Sequence, residues 1–325
     1  MQTSTRIVWA LVAAVPLLLL PIAGAAVQSD DEAPERPEAP AFVPPPDVAP
    51  DVEGGVFTRF FHPDGSVARE GFLVDGVRAG VWHAWSVNGA RAESGAYDGY
   101  RRVGPWVLYR GSGASARRQG NYDADGLRHG TWATFDEEGN VRLLIEYVHG
   151  KRNGTFTRYA PDGRVVATYG YLEDRKHGPS ALNARQTDVP LERGSWAQGR
   201  RVGEWTFYHR EGPPSRVGTF VDGLEEGEWI EYHSNGQRMR VGRYERGQAV
   251  GEWRGFYRQG ERQFTGKYVG GLTDGMFIEW YPNGVKKAEG SFVKGKLDGK
   301  WTFWDRQGRV DEEQTGTYRD GELIR

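Results

Sequence analysis

Apolar positions in this chain are mainly aromatic, and they recur in short groups that are separated by glycine-containing turns. From residue 55 onward, a glycine followed two residues later by an aromatic ring returns every 24–26 residues. The pairs are Gly55/Phe57, Gly80/Trp82, Gly104/Trp106, Gly130/Trp132, Gly154/Phe156, Gly203/Trp205, Gly227/Trp229, Gly251/Trp253, Gly275/Phe277 and Gly299/Trp301, and Gly178 keeps the spacing without its aromatic. A fixed period in this range indicates one supersecondary unit stacked on copies of itself.

Each unit predicts two short strands. The first carries glycine-x-aromatic, as in Gly242-Arg243-Tyr244, and the second carries tryptophan-x-x-aromatic, as in Trp229/Tyr232. Aromatic and β-branched residues over four to six positions, bounded by turn residues, favour strand. No stretch after Val27 has an apolar period of 3.6 residues long enough for a stable helix.

The turn residues predict how these strands connect. Asp-Gly and Asn-Gly pairs, such as Asp222-Gly223, supply the positive φ values that hairpin turns need. Pro63-Asp64-Gly65 fits a type I turn followed by a left-handed glycine. The sequence therefore predicts an all-β fold, a single elongated antiparallel sheet of tandem β-hairpin repeats of about 24 residues.

The rings of successive strands are expected to form a ladder along one face of this sheet. We expect the glycine two residues before each aromatic to leave room for a neighbouring ring. Cross-strand aromatic pairs contribute about 0.5–1.5 kcal/mol beyond area burial, so cohesion of the sheet is a sufficient role for the rings. We favour it over the stacking of a ligand.

The N-terminus has the pattern of a targeting segment. Arg6 precedes an apolar run over residues 7–20, and small residues follow Pro21 at positions 23–25. This pattern predicts a helical secretory signal peptide over 1–26, and hence an exported protein that is periplasmic, cell-surface or secreted. The alternative is an uncleaved N-terminal membrane anchor, because residues 7–27 are just long enough to span a bilayer.

Residues 27–54 are predicted to be a disordered linker. Acids and prolines dominate this segment, and Arg36 is its only basic residue. Such a composition has almost nothing to bury and favours an extended, semi-stiff tether. Because the whole chain has a net charge of −2, the acidic segment leaves the repeat array, residues 55–325 with about eleven units, net positive.

The sixth unit, near residues 178–193, departs from the pattern. Ser180 stands where the other units carry tryptophan, and no aromatic follows as far as Arg193. Decay of a surface copy is the interpretation we favour, since repeat arrays tolerate irregular units. A bend, or a loop specialised for a partner, is the alternative.

A row of basic residues is the best functional signal. Two residues before the glycine of successive glycine-x-aromatic segments lie Arg78, Arg102, Arg128, Arg152, Lys176 and Arg201. The next four equivalent positions are Glu225, Ala249, Thr273 and Leu297, so the basic series ends there. On a regular sheet these side chains would line one edge about 9–10 Å apart, close enough for their potentials to add in part. The row is a candidate site for an anionic partner, for an acidic protein, or for the acidic linker of the same chain.

Signals for chemistry are weak. The chain has no cysteine, which excludes disulfides, thiolate chemistry and cysteine-ligated zinc. His62, His209 and His233 each follow a strand aromatic, but equivalent positions about 9–10 Å apart cannot share a metal ion. No motif of a hydrolase, metalloprotease or P-loop protein is present, and no signature supports nucleic-acid binding. We therefore expect no catalytic residue, no metal and no cofactor.

The repeat resembles the MORN repeat, and specifically its bacterial variant. The unit glycine-x-tyrosine-x-x-glycine-x-x-x-glycine-x-tryptophan fits residues 242–253 and 290–301 well, and the resemblance extends over residues 55–321. It implies tandem β-hairpins in an elongated sheet, roles in protein interaction and scaffolding, and contact with phospholipid headgroups. Some bacterial proteins with this variant are labelled antitoxins, but an export signal argues against a cytoplasmic antitoxin.

These observations favour an exported, non-catalytic binding or scaffolding protein, with a protein or an anionic phospholipid or polyanion as its partner. Membrane contact through an uncleaved leader or through headgroups is compatible with this hypothesis. The alternative is a cell-envelope carbohydrate-binding repeat protein, although such repeats are nearer 20 residues and carry adjacent aromatic pairs. An enzyme is disfavoured, because the array leaves no separate catalytic domain.

Overall fold

The computed structural model describes residues 38–39 and 41–324. The predicted signal peptide and the first part of the predicted linker lie outside the described residues. Within the described ranges there are 23 β-strands and no helix. The described residues include no helix with the length and apolarity needed to cross a membrane.

The strands have the following bounds. They are β1 (Val56–Phe61), β2 (Val67–Val74), β3 (Val77–Trp85), β4 (Arg91–Asp98), β5 (Arg101–Tyr109), β6 (Ala116–Tyr122), β7 (Arg128–Phe135), β8 (Val141–Val148), β9 (Lys151–Tyr159), β10 (Val165–Leu172), β11 (Arg175–Asn183), β12 (Pro190–Ala197), β13 (Arg200–Tyr208), β14 (Pro214–Val221), β15 (Leu224–Tyr232), β16 (Arg238–Glu245), β17 (Gln248–Phe256), β18 (Arg262–Val269), β19 (Leu272–Trp280), β20 (Lys286–Val293), β21 (Lys296–Phe303), β22 (Gly316–Arg319) and β23 (Glu322–Ile324).

Each strand pairs antiparallel with the next strand along the chain. Gly95 of β4, for example, lies opposite Trp82 of β3 on one side and Trp106 of β5 on the other. The same sequential pairing continues from β1–β2 to β22–β23. The result is one long open antiparallel sheet in a hairpin meander, which confirms the predicted fold.

The two ends of the strands carry different connections. At the end that we call the tight-turn end, most hairpins turn through two residues with positive φ, as Asp222 (52°) and Gly223 (87°) do. This is the type I′ geometry that matches the twist of the flanking strands. At the long-loop end most connections have five residues, and loops such as 62–66 place a glycine, here Gly65, at φ 83°.

The regular glycines of the two strands of a unit meet two different requirements. Gly218 of β14 lies under the ring of Trp229, and a Cβ atom on it would lie 2.1 Å from Trp229 Cδ2. Gly227, two residues before Trp229, instead has φ +75° and nothing within 4 Å of a built Cβ. The expectation that glycine leaves room for a ring is therefore right for most first strands, although Ile145 and Tyr169 take the place of this glycine in β8 and β10. In the second strand the glycine serves a left-handed backbone at a register shift.

The predicted ring ladder runs along one face, which we call the aromatic face. Neighbouring rings meet edge to face at alternating distances, as in Phe220–Trp229 at 5.1 Å and Trp229–Tyr244 at 6.1 Å. Trp205 and Trp229 are 0% and 1% exposed. Several indole N–H groups donate to the preceding strand, as Trp106 does to the carbonyl of Ala96 at 3.1 Å. Both faces of the rings are thus used for packing within the sheet.

The sixth unit is repacked around its missing tryptophan. Ser180 occupies the tryptophan position of β11, and Tyr169 occupies the glycine position opposite it in β10. Since a tryptophan ring normally lies over that glycine, the phenol of Tyr169 supplies a ring from the other strand. Strand β11 keeps the regular pairing with β12, with Ser180 opposite Gly194. The large and the small residue have therefore exchanged places across the β10–β11 pair, and the packing of the sheet is preserved where the motif is lost.

The described end of the predicted linker packs against the first hairpins. Residues 41–54 have no helix or strand, yet Pro45 is buried. The guanidinium of Arg91 donates to the carboxylate of Asp47 at 2.7 Å. The side chain of Val52 lies so close to Gly80 that a Cβ there would be 2.7 Å from Val52 Cγ2. The acidic segment thus contacts Arg91, which does not belong to the predicted basic row.

Candidate anion-binding face

The six predicted cations start the strands that follow the tight turns. They are the first or second residues of β3, β5, β7, β9, β11 and β13. The backbone carbonyls of several of them link neighbouring turns, as when Gly223 N–H donates to the carbonyl of Arg201 at 2.9 Å. The row predicted from the spacing is thus a regular feature of the tight-turn end.

The side chains of this row lie on the aromatic ladder rather than projecting from an edge. The guanidinium carbon of Arg78 is 3.7 Å from the ring centre of Tyr97, and that of Arg102 is 4.5 Å from Trp106. The Lys176 ammonium lies 3.9 Å from the ring centre of Tyr169. All six cations are half-buried. Each therefore contributes cation–π stabilisation of about 0.5–2 kcal/mol as well as positive charge.

Lys176 has a special place in the row, because it spans the gap of the sixth unit. Its ammonium also lies 4.5 Å from the ring centre of Trp196, so it bridges the rings on either side of the missing tryptophan. Burial, assisted by nearby Arg201, lowers the pKa of Lys176. Lys176 thus takes the place of the contact that a tryptophan ring makes in the other units.

Half of the row is neutralised within the sheet. Arg102 pairs with Glu93 at 3.3 Å, Arg152 with Asp174 at 2.9 Å, and Arg201 with Glu192 at 3.0 Å. Within residues 38–39 and 41–324, no carboxylate oxygen lies within 4.0 Å of the charged nitrogens of Arg78, Arg128 or Lys176. Only these three keep an uncompensated charge, so the row is less basic than the sequence predicts.

Two further arginines join the unpaired ones, and the sequence reasoning missed them. Arg69 of β2 and Arg118 of β6 stand two residues before the ring-supporting glycines Gly71 and Gly120. Strand alternation places them on the aromatic face. We call Arg69, Arg78, Arg118 and Arg128 the cationic patch. The signal was present in the sequence, because both strands of the second and fourth units carry arginine two residues before the glycine.

In one unit of the second half, the same two positions carry reversed charges. Glu225 stands at the position of Arg102, and Arg216 stands at the position of its partner Glu93. Arg216 pairs with Glu225 at 3.4 Å and lies 4.0 Å from the ring centre of Trp229. The ring is still covered by a guanidinium, but from the other strand. The end of the basic series at Glu225 is therefore a charge exchange that keeps the packing.

The three histidines of the long-loop end serve the sheet. Nε2 of His62, His209 and His233 lies 3.0, 2.9 and 2.9 Å from the carbonyl oxygens of Trp85, Tyr232 and Phe256, each 23 residues further on. Because a carbonyl can only accept, each imidazole donates to the next loop. These contacts give the histidines a structural role between consecutive loops.

Comparison with known families identifies the repeat. A family model described as the MORN repeat variant matches residues 128–149, 225–245 and 273–294. The matched segments cover the hairpins β7–β8, β15–β16 and β19–β20. MORN repeats are in general non-catalytic binding repeats, often for phospholipid membranes or proteins. No curated protein sequence matches the chain.

Proposed function

Because the chain is a MORN repeat protein, we propose that it is an exported, non-catalytic binding protein whose cationic patch holds an anionic surface or an acidic protein. The observation that carries this proposal is the local excess of arginine. Arg69, Arg78, Arg118 and Arg128 share one face of the sheet between β2 and β7, and among the described residues no carboxylate oxygen lies within 4.0 Å of their charged nitrogens. On the same face, Arg102, Arg201 and Arg216 each pair with a glutamate instead.

The stacking of Arg78 and Arg128 on aromatic rings suits these two side chains to recognition. A guanidinium that lies on a ring is held in a fixed plane, so less entropy is lost when it donates to a carboxylate or phosphate. Arg128 lies over two rings at once, at 5.1 Å from Trp132 and 5.5 Å from Tyr147. Arg69 and Arg78 line one small concavity, which also contains Glu93, the ion-pair partner of Arg102. Preorganised donors around a shallow basin favour an anionic group.

The burial of the tryptophans argues against the carbohydrate-binding alternative. Sugar recognition by stacking needs an accessible ring face, whereas Trp82, Trp106 and Trp132 are 4%, 2% and 4% exposed. The proposal that the protein is exported rests on the signal-peptide pattern over residues 1–26.

Vesicle binding tests the proposal. Replacing Arg78 and Arg128 together with glutamine removes two unpaired charges but keeps a polar side chain at each position. A basic residue near an anionic membrane contributes about 1 kcal/mol, so we expect the double variant to bind vesicles of anionic phospholipid about 30-fold more weakly in cosedimentation. Binding of the wild type should also weaken steeply with added salt.

The control is a matched removal of charge in the second half. Lys267 and Lys300 are exposed strand lysines, and their double replacement with glutamine changes the net charge equally. We expect vesicle affinity to stay within about twofold of the wild type, since these residues lie outside the cationic patch. Equal losses in the two double variants, or binding that is insensitive to both, would refute a localised patch for anionic surfaces. Binding of an acidic protein, with vesicles inert, would select the other partner class.

A further inference from the structure

One tight turn differs from the others, and it creates a cluster of metal-ligating side chains. Strands β6 and β7 are joined by five residues, 123–127, whereas the other described turns at this end have two. This loop and the six-residue loop 110–115 together account for the spacing of 26 residues between Gly104 and Gly130. The loop 123–127 brings Asp123 beside the next turn along the sheet.

The cluster consists of Asp123, His129 and His149. One ligand atom from each residue lies within 4.8 Å of the others. The closest pair is His149 Nδ1 and Asp123 Oδ2, at 2.8 Å, and the two imidazole rings meet edge to face at 5.6 Å. Ligand atoms of a tetrahedral zinc ion lie about 3.4 Å apart, given bonds of about 2.1 Å. Small rotations of the two exposed imidazoles would therefore close the triad around an ion.

The carboxylate of Asp123 is already oriented for such a role. Its Oδ1 accepts backbone N–H bonds from Leu127 at 2.8 Å and from Asp125 at 3.1 Å, which leaves Oδ2 directed at His149. The backbone bond from Leu127 and the imidazole of His149 lower the pKa of Asp123 against the effect of burial. Hydrogen bonds that fix a ligand in this way are typical of the surroundings of metal ions.

The cations near the cluster either lie on the other face of the sheet or are paired with carboxylates. Arg128 lies over Trp132 on the aromatic face, and strand alternation places the adjacent His129 on the opposite face. Lys151 pairs with Glu173 at 3.5 Å in the next turn, and Arg101 pairs with Asp98 at 3.8 Å. A divalent cation at the cluster would thus meet one carboxylate and two imidazoles.

We propose that Asp123, His129 and His149 bind a divalent transition-metal ion of the zinc class at the tight-turn end of the sheet. Two imidazoles and one carboxylate suit zinc, and the exposed position leaves room for water as a further ligand. The site connects two consecutive hairpins, so a bound ion would crosslink them.

Titration of the full chain with Zn²⁺ after treatment with a chelator tests this proposal. Calorimetry is expected to show one Zn²⁺ bound per chain. Replacing His129 or His149 with alanine should weaken binding by at least about tenfold, because even the loss of an outer-shell partner costs a metal site about 10–100-fold. Asp123→Asn keeps an oxygen for the backbone N–H groups and should show a comparable loss.

His177 provides the matched control. It precedes Gly178 as His129 precedes Gly130, and it is likewise exposed at the start of its strand. The His177→Ala variant is expected to bind Zn²⁺ like the wild type. The same affinity in the wild type and the His129→Ala variant, an equal loss in the His177→Ala variant, or no binding by the wild type would each overturn the proposal. A circular dichroism spectrum of each variant checks that the sheet is retained.

Discussion

Replacing Gly218 with alanine is expected to lower the free energy of unfolding by about 3 kcal/mol, although only one methyl group is added. The new Cβ would lie 2.1 Å from Trp229 Cδ2, and Cβ atoms are essentially never found within 3.0 Å of another heavy atom. The ring must therefore leave its packed position between Phe220 and Tyr244. Urea titration followed by tryptophan fluorescence measures the change.

Two other glycines serve as controls for this substitution. Gly111 has an ordinary φ and nothing within 4 Å of a built Cβ, so its replacement with alanine should change stability by less than about 0.5 kcal/mol. Gly227 has φ +75° and open space, so alanine there should cost about 1–2 kcal/mol from backbone strain alone. If Gly218→Ala were no more destabilising than Gly111→Ala, ring-on-glycine packing would not hold the sheet together.

The second large effect is expected as a coupling between Tyr169 and Ser180. Tyr169→Gly alone removes a packed ring, and Ser180→Trp alone inserts a second ring where one already lies, so each change should destabilise the sheet by about 2–4 kcal/mol. The double variant restores the glycine–tryptophan pair that other units use, as in Gly218 opposite Trp229. We expect it to be at least about 3 kcal/mol more stable than the sum of the single changes predicts.

A double-mutant cycle from urea titrations gives this coupling energy directly. The same cycle with Tyr169→Gly and the remote Ser291→Ala should be additive within about 0.5 kcal/mol. Additivity of Tyr169→Gly and Ser180→Trp would show that the sixth unit is a decayed copy after all. A double variant that is much more stable than the sum of the single changes predicts would show that the unit is a rearranged but complete copy.

Most of the fold was predictable from the sequence, because spacing and turn chemistry are local signals. Asp222-Gly223 predicts a two-residue turn without any knowledge of the rest of the chain, and the structure has one there. The repacking of the sixth unit was not predictable in the same way. The repeat pattern shows that a tryptophan is missing at Ser180. The residue that compensates for it, Tyr169, lies in another strand and belongs to no repeated motif.

The candidate site, too, was predictable from the sequence only in part. The row from Arg78 to Arg201 follows from the period, yet its charge depends on cross-strand partners such as Glu93 and Asp174. Those partners belong to the preceding strand or the next turn, so a scan of one position per unit cannot find them. The cluster of Asp123 with His149 was missed for the same reason, because it joins two consecutive turns 26 residues apart. A search over pairs of units, rather than over single units, would have found both.

The direct test of the sheet is a disulfide trap across neighbouring strands, which is clean because the chain has no cysteine of its own. Ile230 of β15 lies opposite Val241 of β16, within the distance that a disulfide requires. Cysteines at these two positions are expected to crosslink within one chain under mild oxidation, whereas the pair Ile230 and Arg243, displaced by two residues, should remain reduced. Equal crosslinking of the two pairs, or crosslinking of the displaced pair alone, would contradict the register on which the ring ladder and the cationic patch depend.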